Sequence, residues 1–409
     1  MSTTTSTAIN HTRRDIRVIS LVGLAHGLSH FYALSLSVLM FAFVKSDLGL
    51  SFTETGFVVT VFYATSGFSQ TVAGFATDRF GGPRMLFTGL ALFALAYLVL
   101  GMTSSYWVVL VCAVIAGLGN SVFHPADFSI LNSAVDPKRL GYAFSAHGFT
   151  GNVGFMLAPV IMGPLAAFGG WHGAMTAGGL VALLSLVFLV LQRDLLQPFE
   201  RAETVAHSGP PPGARVLVSL PVLMCFAFFF LLASGIVGIQ SVGPGVMTTV
   251  FHMPRATALD IISGFLGGGT AGIAAGGWLA GRTERHEWVA GIGMAGACVL
   301  IGVAATGVLP IAGIAVALAV AGFFSGVAQP SRDMVIRKAA PKGSTGKVYG
   351  FVYSGLDAGS STAPLLFGFM LDHAHGDLVM YCVAAFWALA MFTIVTVQKR
   401  APQVMPKAA

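Results

Sequence analysis

Residues 154–163 read GFMLAPVIMG and residues 359–368 read GSSTAPLLFG. Both strings hold Gly, Ala-Pro and Gly at the same places, 205 positions apart. The correspondence extends outward: Gly117, Pro125 and Gly141 fall on Gly322, Pro330 and Gly346, and Asn152 falls on Asp357. Earlier in each half the offset is nearer 203, where Gly74 and Arg79 correspond to Gly277 and Arg282. Small residues four apart give a helix a smooth face for close packing, and a Pro kink is tolerated where neighbouring helices satisfy the freed backbone groups. Gly154, Pro159, Gly359 and Pro364, with Pro125 and Pro330, are therefore expected to be packing and hinge elements of a chain built as two like halves.

The composition says what these halves are made of. The 409 residues are 55% hydrophobic and 9% charged, far from the roughly one-quarter charged of a soluble domain. Apolar runs long enough to cross a hydrocarbon core as helices recur throughout. Splitting them at charges, Pro and Gly clusters predicts twelve spans: 17–43, 53–77, 84–103, 106–134, 140–167, 171–192, 216–246, 256–280, 287–308, 310–338, 345–371 and 377–398. With the N-terminus inside, every Lys and Arg except Lys45 and Arg255 falls on the cytoplasmic side, as the positive-inside rule requires. The expected organisation is a cytoplasmic tail (1–16), a six-helix bundle (17–193), a Pro- and Gly-bearing cytoplasmic linker (194–215), a second bundle (216–398) and a short cytoplasmic tail (399–409). Four scattered cysteines imply neither disulfide nor zinc site. No Gly-rich phosphate loop, nucleophile elbow or HExxH string is present, so neither an enzyme nor a nucleic-acid binder is expected. No cofactor is expected, and a monomer in contact with membrane lipid is.

The loop between spans two and three reads Gly74-Phe-Ala-Thr-Asp78-Arg79-Phe-Gly81-Gly82-Pro83-Arg84. Gly74 is suited to close helix approach, Gly81 and Gly82 to a tight turn, and Asp78 to interaction with a helix end and basic side chains. The string resembles the G-x-x-x-D-R-x-G-R-R/K motif of the major facilitator superfamily. That resemblance, with the parallel six-helix repeat, implies an all-α membrane fold whose halves rock about a central site. It also implies that Gly74, Asp78, Arg79, Gly81 and Arg84 form a cytoplasmic gating latch. Gly82-Pro83 departs from the usual basic residues, and Gly281 replaces the acidic residue in the second copy.

Ionisable side chains inside a bilayer cost about 2.5–3.5 kcal/mol each on insertion scales and are functional candidates by default. On span one, His26 and His30 share a face near Tyr32. Their spacing suits metal ligation, but no carboxylate accompanies them on that span, and no metal site is expected. On span four, Asn120, His124 and Asp127 form one stripe. Span five adds His147 and Asn152, span seven Gln240 ahead of a break at Gly243-Pro244-Gly245, span ten Gln329 and Arg332, and span eleven Asp357. Arg332 is expected near the cytoplasmic boundary, paired with Asp333. In the superfamily, helices one, four, seven and ten line the cavity, which places His30 and the stripe where substrate would pass.

Ser29-His30, Gly117-x-x-x-Ser121-Val122-Phe123-His124-Pro125 and Gly151-Asn152-x-Gly154 are similar to segments of the fosmidomycin-resistance branch of drug exporters. Ala33 and Leu34 replace that branch's Asn-Asp pair, and Ala126 precedes Asp127 where the branch has its acid directly. The resemblance implies a secondary active transporter that exchanges protons for a small organic compound and exports it from a bacterial cell across the inner membrane. The alternative is a proton-coupled importer of an organic anion or metabolite.

Overall fold

The structure is a computed structural model. It describes the backbone of residues 3–197, 218–339 and 345–400, and the side chains of 12–197, 218–332 and 351–393 apart from Pro221 and Tyr353. Most of the expected linker and the tail from residue 401, like the side chain of Asp333, lie outside the described residues.

Fourteen α-helices follow in order: α1 (Thr3–Leu39), α2 (Lys45–Leu48), α3 (Phe52–Phe80), α4 (Gly82–Leu100), α5 (Tyr106–Ser121), α6 (Phe123–Ala134) and α7 (Leu140–Leu191), then α8 (Leu220–Val237), α9 (Gly243–Thr249), α10 (Arg255–Ala280), α11 (His286–Ala305), α12 (Ile311–Ala339), α13 (Thr345–Asp372) and α14 (Gly376–Arg400). The first spans of the two halves each end in a π-helical turn, Met40–Val44 and Gly238–Val242, before α2 and α9 resume. The second of these puts the expected break of span seven just ahead of Gly243. Spans five and six both lie in α7, separated where Gly170 leaves the helical region (φ 70°, ψ 164°).

Nine helical stretches among the described residues are long and apolar enough to cross a membrane. α7 counts as one of these, and α3 and α13 are absent from them because both are rich in Ser and Thr. Those polar faces meet each other. Thr60 Oγ1 donates to the Ser361 carbonyl at 2.6 Å, and Gly56 of α3 presses on the backbone of Pro364.

Contact between the halves is dense at the end that carries Lys45, Arg255 and Asp372. Asp372 accepts hydrogen bonds from the backbone N–H groups of Phe52 (2.8 Å) and Thr53 (2.7 Å), at the N-terminus of α3. Arg255 lies over the Phe43 ring, 4.7 Å from its centroid. Beyond Gly67, and among the described residues, Phe68, Val72 and Phe75 of α3 are exposed, Phe68 by 85%.

α1 begins at Thr3, ahead of the expected start of span one at residue 17, so the expected tail is helical where it is described. No Pro or Gly interrupts it before Gly23, and it is held where Asp15 accepts from Arg139 Nε at 2.7 Å and Arg14 donates to the Ala134 carbonyl at 3.0 Å. At Gly74, expected to be a close-approach site, a Cβ meets no atom within 4 Å among the described residues. Gly82 is such a site, with the Ala126 carbonyl of α6 only 2.9 Å from where a Cβ would stand. A basic residue in its place would not fit. Gly81 makes the expected turn at φ 88°.

Candidate functional site

The repeated glycines bring the site together. Gly154 of α7 abuts the Gly27 carbonyl of α1, and Gly359 of α13 abuts the Phe230 carbonyl of α8 in the same way. In the first half this back-to-back contact faces His26 and His30 of α1 toward His147 of α7. The third contributor is α6. Pro125 has no N–H and its ring crowds the carbonyl four residues earlier, and the helical hydrogen bonding is interrupted at Val122 between α5 and α6, with the backbone there still right-handed helical (φ −87°, ψ −19°).

The residues of the expected stripe find different partners. Asn120 stays on α5, where its Nδ2 donates to Ser66 Oγ of α3 at 2.9 Å. His124 and Asp127 turn toward α1 and α7. Asp127 is fully buried, and its Oδ2 shares a hydrogen bond with His147 Nε2 at 3.1 Å. His26 Nδ1 is also 3.1 Å from this oxygen but at an angle that makes no hydrogen bond. Asp127 Oδ1 has no partner either. The His26 and His147 rings stack with centroids 3.5 Å apart, and His124 stands 5.1 Å from His26 edge-on. His30 lies 4.4 Å from His26 and packs on Phe155. The carboxylate missing from span one is thus supplied by α6.

Other expected residues go elsewhere. Tyr32 does not join the histidines: its hydroxyl donates to the Gly178 carbonyl at 3.0 Å, and its ring packs on Phe93 and Tyr97 in the core. It points away because Tyr32 is only two residues beyond His30, on another side of the helix. Asn152 Nδ2 donates to the Gly148 carbonyl of its own helix. Gln240 is buried in the second π-helical turn with its Oε1 unpartnered. Gln329 and Arg332 line a small recess with Trp387, and the Arg332 guanidinium stands over the Phe229 ring at 5.3 Å. In the loop motif, Asp78 is exposed and without a hydrogen-bond or ion-pair partner among the described residues. Arg79 lies over Phe80, and Arg84 is exposed.

Between the halves lies a cavity of about 260 Å³ lined by Tyr63, Gly67, Phe68, Phe226, Ser354 and Asp357, among others. Asp357 projects from α13 against Gly67 of α3, whose missing side chain makes room for it. Tyr63 also has its hydroxyl buried and unpartnered. Tyr63 had no distinguishing signal in the sequence beyond its place on a polar span.

Two helical bundles facing each other across a cavity and in contact at the end that carries Asp372 have the arrangement of a membrane transporter. The sequence profile described as Major Facilitator Superfamily matches residues 22–364 and 242–408, and the chain belongs to that family of secondary transporters. It is 24% identical over 393 residues to the fosmidomycin resistance protein of Escherichia coli K12, covering 93% of each chain. Among solved structures it resembles a bacterial homologue of the human lysosomal transporter Spinster in an inward-facing, occupied conformation (TM-score 0.77, 14% identity, 94% and 96% of the two chains). It also resembles the nucleoside transporter NupG (TM-score 0.74, 12% identity, 93% and 99%). At these identities the structural likenesses speak for the fold.

Proposed function

We propose that this protein is a proton-coupled exporter of a small organic compound, working by alternating access in a bacterial inner membrane with both chain ends in the cytoplasm. The observation that carries the reading is Asp357. It is an ionisable side chain inside the apolar region, set in the cavity between the halves, where rocking would present it to one side and then the other. A carboxylate there is costly, and carrying a proton removes the charge during the switch. Tyr63, Ser354 and Thr362 beside it offer hydroxyls to a polar part of the substrate, while Phe68 and Phe226 offer apolar faces. Export is favoured by the relative named for drug resistance, which matches along nearly the whole chain. The cytoplasmic assignment of the ends rests on the distribution of Lys and Arg.

The test is flux in proteoliposomes under an imposed pH gradient. Asp357→Asn should abolish gradient-driven movement while leaving substrate exchange at equal pH. Gradient-driven flux that survives the substitution overturns Asp357 as the coupling group. Substrate moving with the proton gradient, and not against it, replaces export with import.

A further inference from the structure

We infer that His26, His124, His147 and Asp127 form a binding site for a divalent transition-metal ion of the Zn²⁺ class inside the first half of the protein. Among the described residues, the ring nitrogens of the three histidines can all lie within 4.8 Å of one another. Tetrahedral Zn²⁺ with Zn–N near 2.0–2.1 Å needs nitrogens roughly 3.4 Å apart, a change that small side-chain rotations supply. Asp127 completes a His₃Asp set from three helices, two ligands coming from α6 and one each from α1 and α7.

Three observations favour an ion over a simple hydrogen-bonded cluster. The cluster is buried: Asp127 is 0%, His26 2% and His147 5% exposed. Two of its atoms that can ligate, His26 Nδ1 and Asp127 Oδ1, have no hydrogen-bond partner, although buried polar atoms are ordinarily satisfied. Finally, no Lys or Arg pairs with Asp127 among the described residues. A buried carboxylate is neutralised by a proton or by an opposite charge beside it, and a divalent ion among imidazoles, which suit Zn, Cu, Fe and Ni, supplies that charge without requiring one of the stacked histidines to be protonated.

The ion is a resident and not the cargo. All four ligands belong to one half, so rocking of the halves leaves their mutual geometry unchanged and does not pass the ion from one side to the other. Its action would be to tie α6 to α1 and α7 just past the break at Val122.

Full-length protein purified without a polyhistidine tag and stripped with chelator should take up one equivalent of Co²⁺, with the visible absorption of a tetrahedral site, and Zn²⁺ should displace it. Losing an outer-shell partner alone weakens metal affinity by about 10–100-fold, so His147→Ala, His124→Ala and Asp127→Asn should each weaken Co²⁺ binding by about 100-fold or more. His375→Ala, in the exposed loop before α14, should leave it unchanged, as should Asp357→Asn, which separates this site from the coupling group. His124→Gln, which keeps a polar side chain at the partly exposed edge, serves if a bulkier loss prevents folding. Stoichiometry near zero in the wild type, or uptake that persists in His124→Gln and Asp127→Asn, overturns the assignment.

Discussion

The two halves place the same glycines against the same backbone carbonyls and then fill the space beside them with opposite chemistry. His26 of α1 corresponds to Phe229 of α8, His124 to Gln329, Asp127 to Arg332 and His147 to Val352, at the offsets that pair Gly27 with Phe230 and Gly154 with Gly359. The first half thus holds a carboxylate among imidazoles, and the second a guanidinium over a phenyl ring. The proline behaves differently as well: α6 starts afresh after the break before Pro125, whereas α12 runs through Pro330. The repeated residues carry packing, and the proposed sites lie in the residues that differ.

The comparison can be broken most severely through the shared scaffold. Gly154→Val and Gly359→Val each drive a side chain into a backbone carbonyl; overpacking costs about 1–3 kcal/mol and sometimes more. Both should lower the thermal midpoint in detergent by similar amounts, and a large drop in only one half would break the equivalence. Next in size is the part that differs. Asp127→Leu leaves His147 without its buried partner, a loss of about 1–3 kcal/mol. Arg332→Leu should cost less, because a half-buried guanidinium keeps access to water. Thermal unfolding of the two variants reports the difference directly.

The end contact gives a smaller effect with a defined pH dependence. Partial burial of Asp372 works to raise its carboxyl pKa. The bonds from Thr53 and Phe52 and the charge of Lys45 outweigh this and hold it below its ordinary 3.8. Its contribution is therefore fully present above about pH 3.8 and is lost as the pH falls through the lower folded value. Asp372→Asn should loosen that end by about 1 kcal/mol or less, read as faster hydrogen exchange at the Phe52 and Thr53 amides that donate to Asp372. The smallest effect belongs to Gly74→Ala, which should change stability by less than about 0.5 kcal/mol, whereas Gly82→Ala meets the backbone of α6 and should be measurably worse in the same melt.

Much of this was legible in the sequence. The apolar runs and the placement of Lys and Arg located the spans, and the Gly and Pro repeat located the contacts between them, because both depend on periodicity and on rules that act locally. The helix break at Val122 was not legible, since an equally placed Pro330 leaves α12 unbroken. Nor was the meeting of Asp127 with His26, which are 101 residues apart and joined only through tertiary packing. One signal did point to it: Gly23, Gly27, Gly151 and Gly154 imply that α1 and α7 lie back to back, and His26 and His147 sit on those faces. For Gly74 the string predicted a close approach, whereas among the described residues a Cβ there meets no atom within 4 Å.

Asp372 has a mechanical consequence. The N-terminus of α3 is covered twice, by its own Ser51 and Glu54, which cap each other's backbone groups, and by a carboxylate from the opposite half. In the proposed alternating-access cycle, separation of the halves there removes only the borrowed cover, and water can take its place at Phe52 and Thr53. The joint can therefore open and reseal without unravelling the helix it grips, as a clasp does that is fastened to a reinforced edge.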